Sequence, residues 1–267
     1  MKIAVIGAGV MGESLMAGIL RGGVPASDIT VAEIRADRAA ALTDQYQVAC
    51  SDARTAVAHA DTVLLVVKPQ DIADVLVDIS LALPPKALVV SLAAGITTAA
   101  IEAKLTAGQP VARVMPNTPS LVDQGMAGIS PGTHCSPEHL AKALTLMNSV
   151  GKSVVIPEEL QNSLTAVSGS GPAYIFYVIE SMVAGAVELG IDREMATELV
   201  VQTVFGAATL IKQSGDEAQT LRERVSSPGG TTVAAINTLD AHGVREAFAA
   251  AMAAARRRSE ELGEPTN

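Results

Sequence analysis

Short, continuously apolar runs alternate with longer amphipathic ones through the first half of the chain. Ile3–Ile6, Thr30–Ala32, Thr62–Val67, Ala87–Ser91 and Val111–Met115 are rich in β-branched residues. That is the pattern of strands buried on both faces of a parallel sheet. Between them, Met11–Arg21, Ala36–Tyr46, Gln70–Leu81 and Thr97–Thr106 read as crossover helices. Met126–Ile129 and Ser153–Ile156 predict two further strands flanking a helix over Pro137–Val150. The alternation predicts an α/β fold with a doubly wound, Rossmann-type sheet. After Pro157 the strand signal stops. Leu160–Gly190, Arg193–Gln213, Glu217–Val225, Thr231–Leu239 and Gly243–Leu262 all read as helices, several of them apolar almost all round. Such helices need a partner to cover them. The chain therefore divides into an α/β domain, 1–157, and an all-α domain, 158–267, expected to be completed by another copy of the chain.

Composition narrows the partners. The 267 residues carry a net charge of −9 and are 49% hydrophobic, with aromatics at only 2% and no Trp. An acidic surface disfavours nucleic acid and anionic membranes. An anionic ligand must then be held by local backbone dipoles and a few placed cations. Arg256-Arg257-Arg258 is followed by Glu260 and Glu261 and reads as a solvated helix face. Cys50 and Cys135 lie in no metal-binding or disulfide spacing, which points to a reducing compartment and no metal site. No charged and apolar leader precedes Ile3–Ile6, and Glu180, Glu188 and Pro172 interrupt the apolar stretch from Pro172 to Leu189. A soluble cytoplasmic protein is expected.

Gly7-Ala8-Gly9-Val10-Met11-Gly12 matches G-x-G-x-x-G in the required context, with a strand before it, a helix after it and a second strand ending at Ala32-Glu33. Gly7 makes the tight turn, Gly9 admits a pyrophosphate, and Gly12 lets helix and strand approach. A dinucleotide is expected along Gly7, Gly9, Val10, Met11 and Gly12. The end of the second strand carries two signals. Glu33 stands where an acid would hold the ribose diol of NAD, while Arg35 and Arg38 suit the 2′-phosphate of NADP. The reading favours NADPH, with NADH as the alternative. Val67-Lys68-Pro69, Leu92-Ala93-Ala94-Gly95 and Met115-Pro116-Asn117-Thr118-Pro119 follow other strands, at the carboxyl ends where an open sheet binds ligands. Val67, Lys68, Pro69, Ala94 and Asn117 are candidate cofactor contacts.

The second site candidate is Val225-Ser226-Ser227-Pro228-Gly229-Gly230-Thr231-Thr232. Four hydroxyls and two glycines precede a plain alanine-rich helical run. Free N–H groups of a first helical turn attract an anion, and the hydroxyls add donors. A simple helix cap would need one Ser or Thr.

Together these segments resemble pyrroline-5-carboxylate reductases. The resemblance spans nearly the whole chain and includes Ala93-Ala94-Gly95, Arg113 through Pro119, and Ser168-Gly169-Ser170-Gly171-Pro172-Ala173-Tyr174. It implies hydride transfer from NAD(P)H to the imine carbon of 1-pyrroline-5-carboxylate, giving L-proline, the last step of proline synthesis. It also implies an intertwined homodimer, often in a larger ring of dimers, with active sites where chains meet. By position, Ser227, Gly230, Thr231 and Thr232 would hold the substrate's carboxylate and ring. Thr232 is the catalytic candidate, bonding the ring nitrogen. Glu158 and Arg224 are further candidates for substrate contact. Glu33 and Ala53 depart from the family's adenosine-side residues.

The chemistry fits an absence. The helical half has one histidine, His242, and one lysine, Lys212, neither in a motif. Alcohol dehydrogenases need a general base; a protonated imine is already electrophilic and needs orientation. A hydroxyacid dehydrogenase would need a lysine early in the helical domain, and none lies between Lys152 and Lys212. A non-enzymatic dinucleotide sensor would leave the hydroxyl-rich loop without a role.

Overall fold

The computed structural model describes residues 1–263. Eight strands form one sheet: β1 (Ile3–Ile6), β2 (Ile29–Ala32), β3 (Ala49–Cys50), β4 (Thr62–Leu65), β5 (Leu88–Ser91), β6 (Val111–Met115), β7 (Gly125–Pro131) and β8 (Gly151–Val155). Their order is β3-β2-β1-β4-β5-β6-β7-β8. Helices α1 (Val10–Arg21), α2 (Ala36–Tyr46), α3 (Ala53–Val57), α4 (Ile72–Ile79), α5 (Thr98–Glu102) and α6 (Pro137–Asn148) connect them. The expected doubly wound sheet is present.

The two faces explain why β1 is apolar at every position. Ile3 and Val5 pack with Leu15, Met16 and Ile19 of α1 and Leu146 and Met147 of α6. Ala4 and Ile6 face the other way, onto Ala56 and Val57 of α3 and Ile72, Leu76 and Ile79 of α4. Alternate side chains thus enter two separate cores, and no position is left for a polar residue.

Several boundaries move. The predicted strand to Val67 stops at Leu65, and the predicted helix over Gln70–Leu81 becomes a 3-10 turn, Pro69–Asp71, followed by α4. The helix expected over Thr97–Thr106 contracts to α5. The two-residue β3 is too short to leave a periodic signal. The strand pattern carries no signal for the direction of β7, which pairs antiparallel with β6, while β8 pairs parallel with β7. Only residues 116–124 join β6 to β7, fewer than a parallel crossover requires.

The helix predicted over Leu160–Gly190 is also interrupted. A 3-10 turn (Glu158–Leu160), α7 (Gln161–Leu164) and a π-helical turn (Thr165–Gly169) precede α8 (Gly171–Glu188). The remaining helices are α9 (Arg193–Ser214), α10 (Ala218–Arg224), α11 (Thr231–Ala241) and α12 (Val244–Gly263).

The chain forms two compact units. The first is Met1–Ser170 with residues 255–263; the second is Gly171–Ala254. The strand signal ends near residue 157, but the segment after it is bonded into the sheet. Gln161, fully buried, donates from Nε2 to the Ser130 hydroxyl at 2.8 Å and to the Gly128 carbonyl at 3.3 Å. In the second unit, α8 and α9 bury only Val183, Ala196 and Val200 between them. Phe176, Tyr177 and Phe205 are 57%, 71% and 65% exposed. The helical stretch 158–188 and α9 are each long and apolar enough to cross a membrane by length and composition.

Candidate active site

The loop between β1 and α1 is shaped by packing. Gly7 has φ +89°, and a Cβ there would lie 2.7 Å from the Val66 carbonyl oxygen. A Cβ on Gly12 would lie 2.2 Å from the Gly7 carbonyl oxygen. Both glycines are therefore required by the protein's own backbone. Gly9 differs, because nothing lies within 4 Å of where its Cβ would be. It starts α1 without a side-chain cap. First-turn N–H groups thus face an open surface, which is what a dinucleotide's pyrophosphate needs. The residues fit the cofactor. Val10 and Met11 are the next two residues of that turn, with Val10 exposed.

Glu33, at the end of β2, does not face solvent. Its side chain is 7% exposed, and it accepts from the Ala8 N–H at 3.2 Å and from the Arg35 N–H at 3.1 Å. Arg38 donates from Nε to the Ala8 carbonyl at 3.2 Å and pairs with Glu13. Tyr46 donates its hydroxyl to the same Glu13 at 2.9 Å. Burial first, then that bond and charge, raise the Tyr46 hydroxyl above its ordinary pKa. Of the two arginines read from the sequence, Arg35 alone leaves its terminal guanidinium nitrogens without a protein partner among the described residues; its side chain is 59% exposed.

Val67, half-buried, packs on the second core, and Lys68 and Pro69 are exposed after it. The Lys68 ammonium has no ion pair among the described residues. Ala94 is exposed in the turn after β5.

Asn117 is engaged on both sides. Its Oδ1 accepts the Met126 N–H at 2.8 Å, and its Nδ2 donates to the Ser168 carbonyl and hydroxyl at 3.2 and 3.3 Å. Pro172 explains why that carbonyl is available. Four residues after Ser168, it has no N–H to complete the helical bond. Ser170 instead donates to Thr165 at 2.8 Å, the wider spacing of a π turn. Gly169 lies against Met115, whose Cε would be 2.9 Å from a Cβ. Ser168 and Gly169 thus sit in a turn that docks on the end of β6. Sequence position alone does not single out Ser168; the proline four residues later is the available signal.

Glu158 is tied to the same sheet. Its two oxygens accept from the Thr98 N–H at 2.8 Å and hydroxyl at 2.6 Å, and Arg113, 8% exposed, pairs with it at 3.3 Å. Its carboxylate links β6 to the start of α5.

In the second unit, α10 leads into the hydroxyl-rich loop. The Gly230 N–H donates to the Ser227 carbonyl at 2.9 Å, closing a turn with Pro228 and Gly229 at its centre, and Gly229 has φ +72°. Proline followed by a positive-φ glycine is the signature of a type II turn. Ser226 is turned back, donating its hydroxyl to the Arg222 carbonyl at 2.6 Å. Gly230 begins α11 with no side-chain cap. The hydroxyls of Ser227, Thr231 and Thr232 have no hydrogen-bond partner among the described residues. Three hydroxyls and an uncapped helix start converge there. Arg224, just before the loop, pairs with Asp216.

Two family models match the chain: pyrroline-5-carboxylate reductase dimerisation over residues 158–262, and coenzyme F420-dependent NADP oxidoreductase over residues 2–95. A pyrroline-5-carboxylate reductase of Corynebacterium melassecola is 43% identical over 98% of each chain. The chain belongs to the pyrroline-5-carboxylate reductase family. The reductase of Coxiella burnetii has a structure that superposes with a TM-score of 0.95, at 35% identity over 99% of both chains. That of Plasmodium falciparum, with NADP bound, gives 0.87 at 27% identity over 99% of this chain and 98% of its own. The protein is accordingly an oxidoreductase acting on a C=N bond with NAD(P)H. Membership in this reductase family accounts for a helical half without a lysine or histidine in any motif.

Proposed function

We propose that the reductase binds its cofactor on Gly7–Gly12 and holds the carboxylate and ring of 1-pyrroline-5-carboxylate with Ser227, Gly230, Thr231 and Thr232. The established reaction is reduction of that imine to proline. The reduced nicotinamide supplies the hydride. The observation that carries the assignment is the set of unpartnered hydroxyls at the uncapped start of α11. With a net charge of −9 the chain offers no general positive field, so local donors must hold the carboxylate. Such charge-assisted hydrogen bonds contribute roughly 1.5–3 kcal/mol each. Thr232 bonds the ring nitrogen and fixes the ring's orientation. Its hydroxyl is no strong acid, and an imine protonated in solution requires none.

NADPH is the favoured cofactor, supported by the open guanidinium of Arg35, with NADH as the alternative. Val67, Lys68, Pro69 and Ala94 border the cofactor. The functional division is residues 1–157 for the dinucleotide and 158–267 for substrate and dimerisation. The apolar faces of α8 and α9 meet a second copy of the chain, supported by the dimerisation family match that covers them, and such dimers assemble into a ring. Acidic charge and two free cysteines support a cytoplasmic enzyme apart from nucleic acid and membranes.

The test follows NADPH and NADH oxidation with pyrroline-5-carboxylate. Thr232→Ala should lower kcat about 10- to 100-fold, the loss of one hydrogen bond to a charged group, while the Kd for NADPH stays unchanged. Thr232→Ser should recover most of the rate. An unaltered kcat in Thr232→Ala would remove Thr232 from the reaction.

A further inference from the structure

Two side chains, backed by two more, hold one residue of the dinucleotide loop. Ala8 is itself fully buried in the core under β1. Its N–H goes to Glu33 and its carbonyl to Arg38. Arg38 is held by Glu13, which is held by Tyr46. The backbone polar groups of Ala8 are thus gripped by opposite charges on either side, and the neighbouring Gly9, Val10 and Met11 amides inherit a fixed direction. The carboxylate of Glu33 has a second use, against the N–H and Nε of Arg35. An ionised carboxylate offers about four lone-pair sites, and at 7% exposure the group has little surface to offer a ribose.

We propose that Glu33 is a positioning residue that clamps the Ala8 backbone, together with Arg38, rather than a ligand of the cofactor's ribose, and that recognition of the 2′-phosphate falls to Arg35 alone. The proposal rests on the reading of Gly7–Gly12 as the cofactor loop. A clamp on the loop serves both nucleotides equally, because both carry the pyrophosphate. A ribose ligand would serve NAD and oppose NADP. The two roles therefore differ in the ratio of affinities.

Calorimetric titration of the protein with NADP⁺ and NAD⁺ separates them. Glu33→Ala should weaken both nucleotides in parallel, by roughly fivefold to tenfold for one lost backbone hydrogen bond, with their ratio held within about twofold. Glu33→Gln keeps an acceptor for the Ala8 N–H and should restore both to within about threefold. Arg35→Ala should weaken NADP⁺ about 10- to 100-fold through loss of a charge-assisted phosphate contact and leave NAD⁺ almost untouched. A Glu33→Ala protein that loses NAD⁺ alone, or gains NADP⁺, overturns the assignment of Glu33. An unchanged ratio in Arg35→Ala overturns the assignment of Arg35. If the unmutated protein bound neither nucleotide, the cofactor reading beneath the proposal would itself fall, a result distinct from the others.

Discussion

In the Gly7–Gly12 loop the outer glycines are enforced by backbone packed against them, whereas in the Ser226–Thr232 loop Gly229 stands in open space and Gly230 is crowded only by Ser227 of the same turn. The first loop is finished within its own unit, with the Ala8 N–H and carbonyl paired and its open side at Gly9. The second presents hydroxyls with no partner among the described residues. The difference teaches how the two sites are made. One is a rigid mould whose shape follows from steric exclusion, and the other is a set of donors whose shape follows from one turn. Substitutions should separate them by what they damage.

The largest effect is expected at Gly12. An added methyl would sit 2.2 Å from the Gly7 carbonyl oxygen, and backbone cannot rotate away as a side chain can. Overpacking of this kind costs about 1–3 kcal/mol or more, so Gly12→Ala should lower Tm by several degrees and abolish dinucleotide binding together. Gly9→Ala comes next and breaks the correlation. With nothing within 4 Å of the new methyl, Tm should stay within about a degree. Binding of NADP⁺ should still fall, because the pyrophosphate must approach the backbone there. A fall in Tm matching that of Gly12→Ala would show that Gly9 is structural, and the mould would have no open side.

The first loop was also the more legible in sequence. Its glycines lie close together between a strand and a helix, so local pattern and tertiary packing say the same thing. The sheet was legible for the same reason, strand by strand. What escaped depends on residues distant along the chain. The antiparallel turn into β7 follows from the brevity of residues 116–124, not from any feature of the strand's own pattern. The π turn needs Asn117 to take up the carbonyl that Pro172 leaves without a donor. Arg38 reads as a phosphate ligand by position, and only the fold reveals that Glu13 and the Ala8 carbonyl hold it. Glu158 likewise reads as a substrate contact by its place at the start of the helical half, and only the fold reveals that Thr98 and Arg113 also bond its oxygens. In the Ser226–Thr232 loop the sequence shows the turn and the donors together. What the hydroxyls bind is a matter of chemistry outside the chain.

The smallest expected effect tests that second loop most sharply. Gly229 has φ +72°, and no atom lies within 4 Å of where its Cβ would be, so Gly229→Ala adds strain without a clash. The left-handed conformation costs an ordinary residue about 1–2 kcal/mol, which sets a ceiling of roughly five- to thirtyfold on any loss. That loss should fall on KM for pyrroline-5-carboxylate, because the turn sets where Ser227 and the start of α11 lie, and NADPH affinity should not move. Asparagine tolerates the left-handed region better than alanine. Gly229→Asn, though larger, should therefore perturb KM less than Gly229→Ala does. The reverse order would mean that space around the loop is limiting after all, and that the loop is a packed mould like the first.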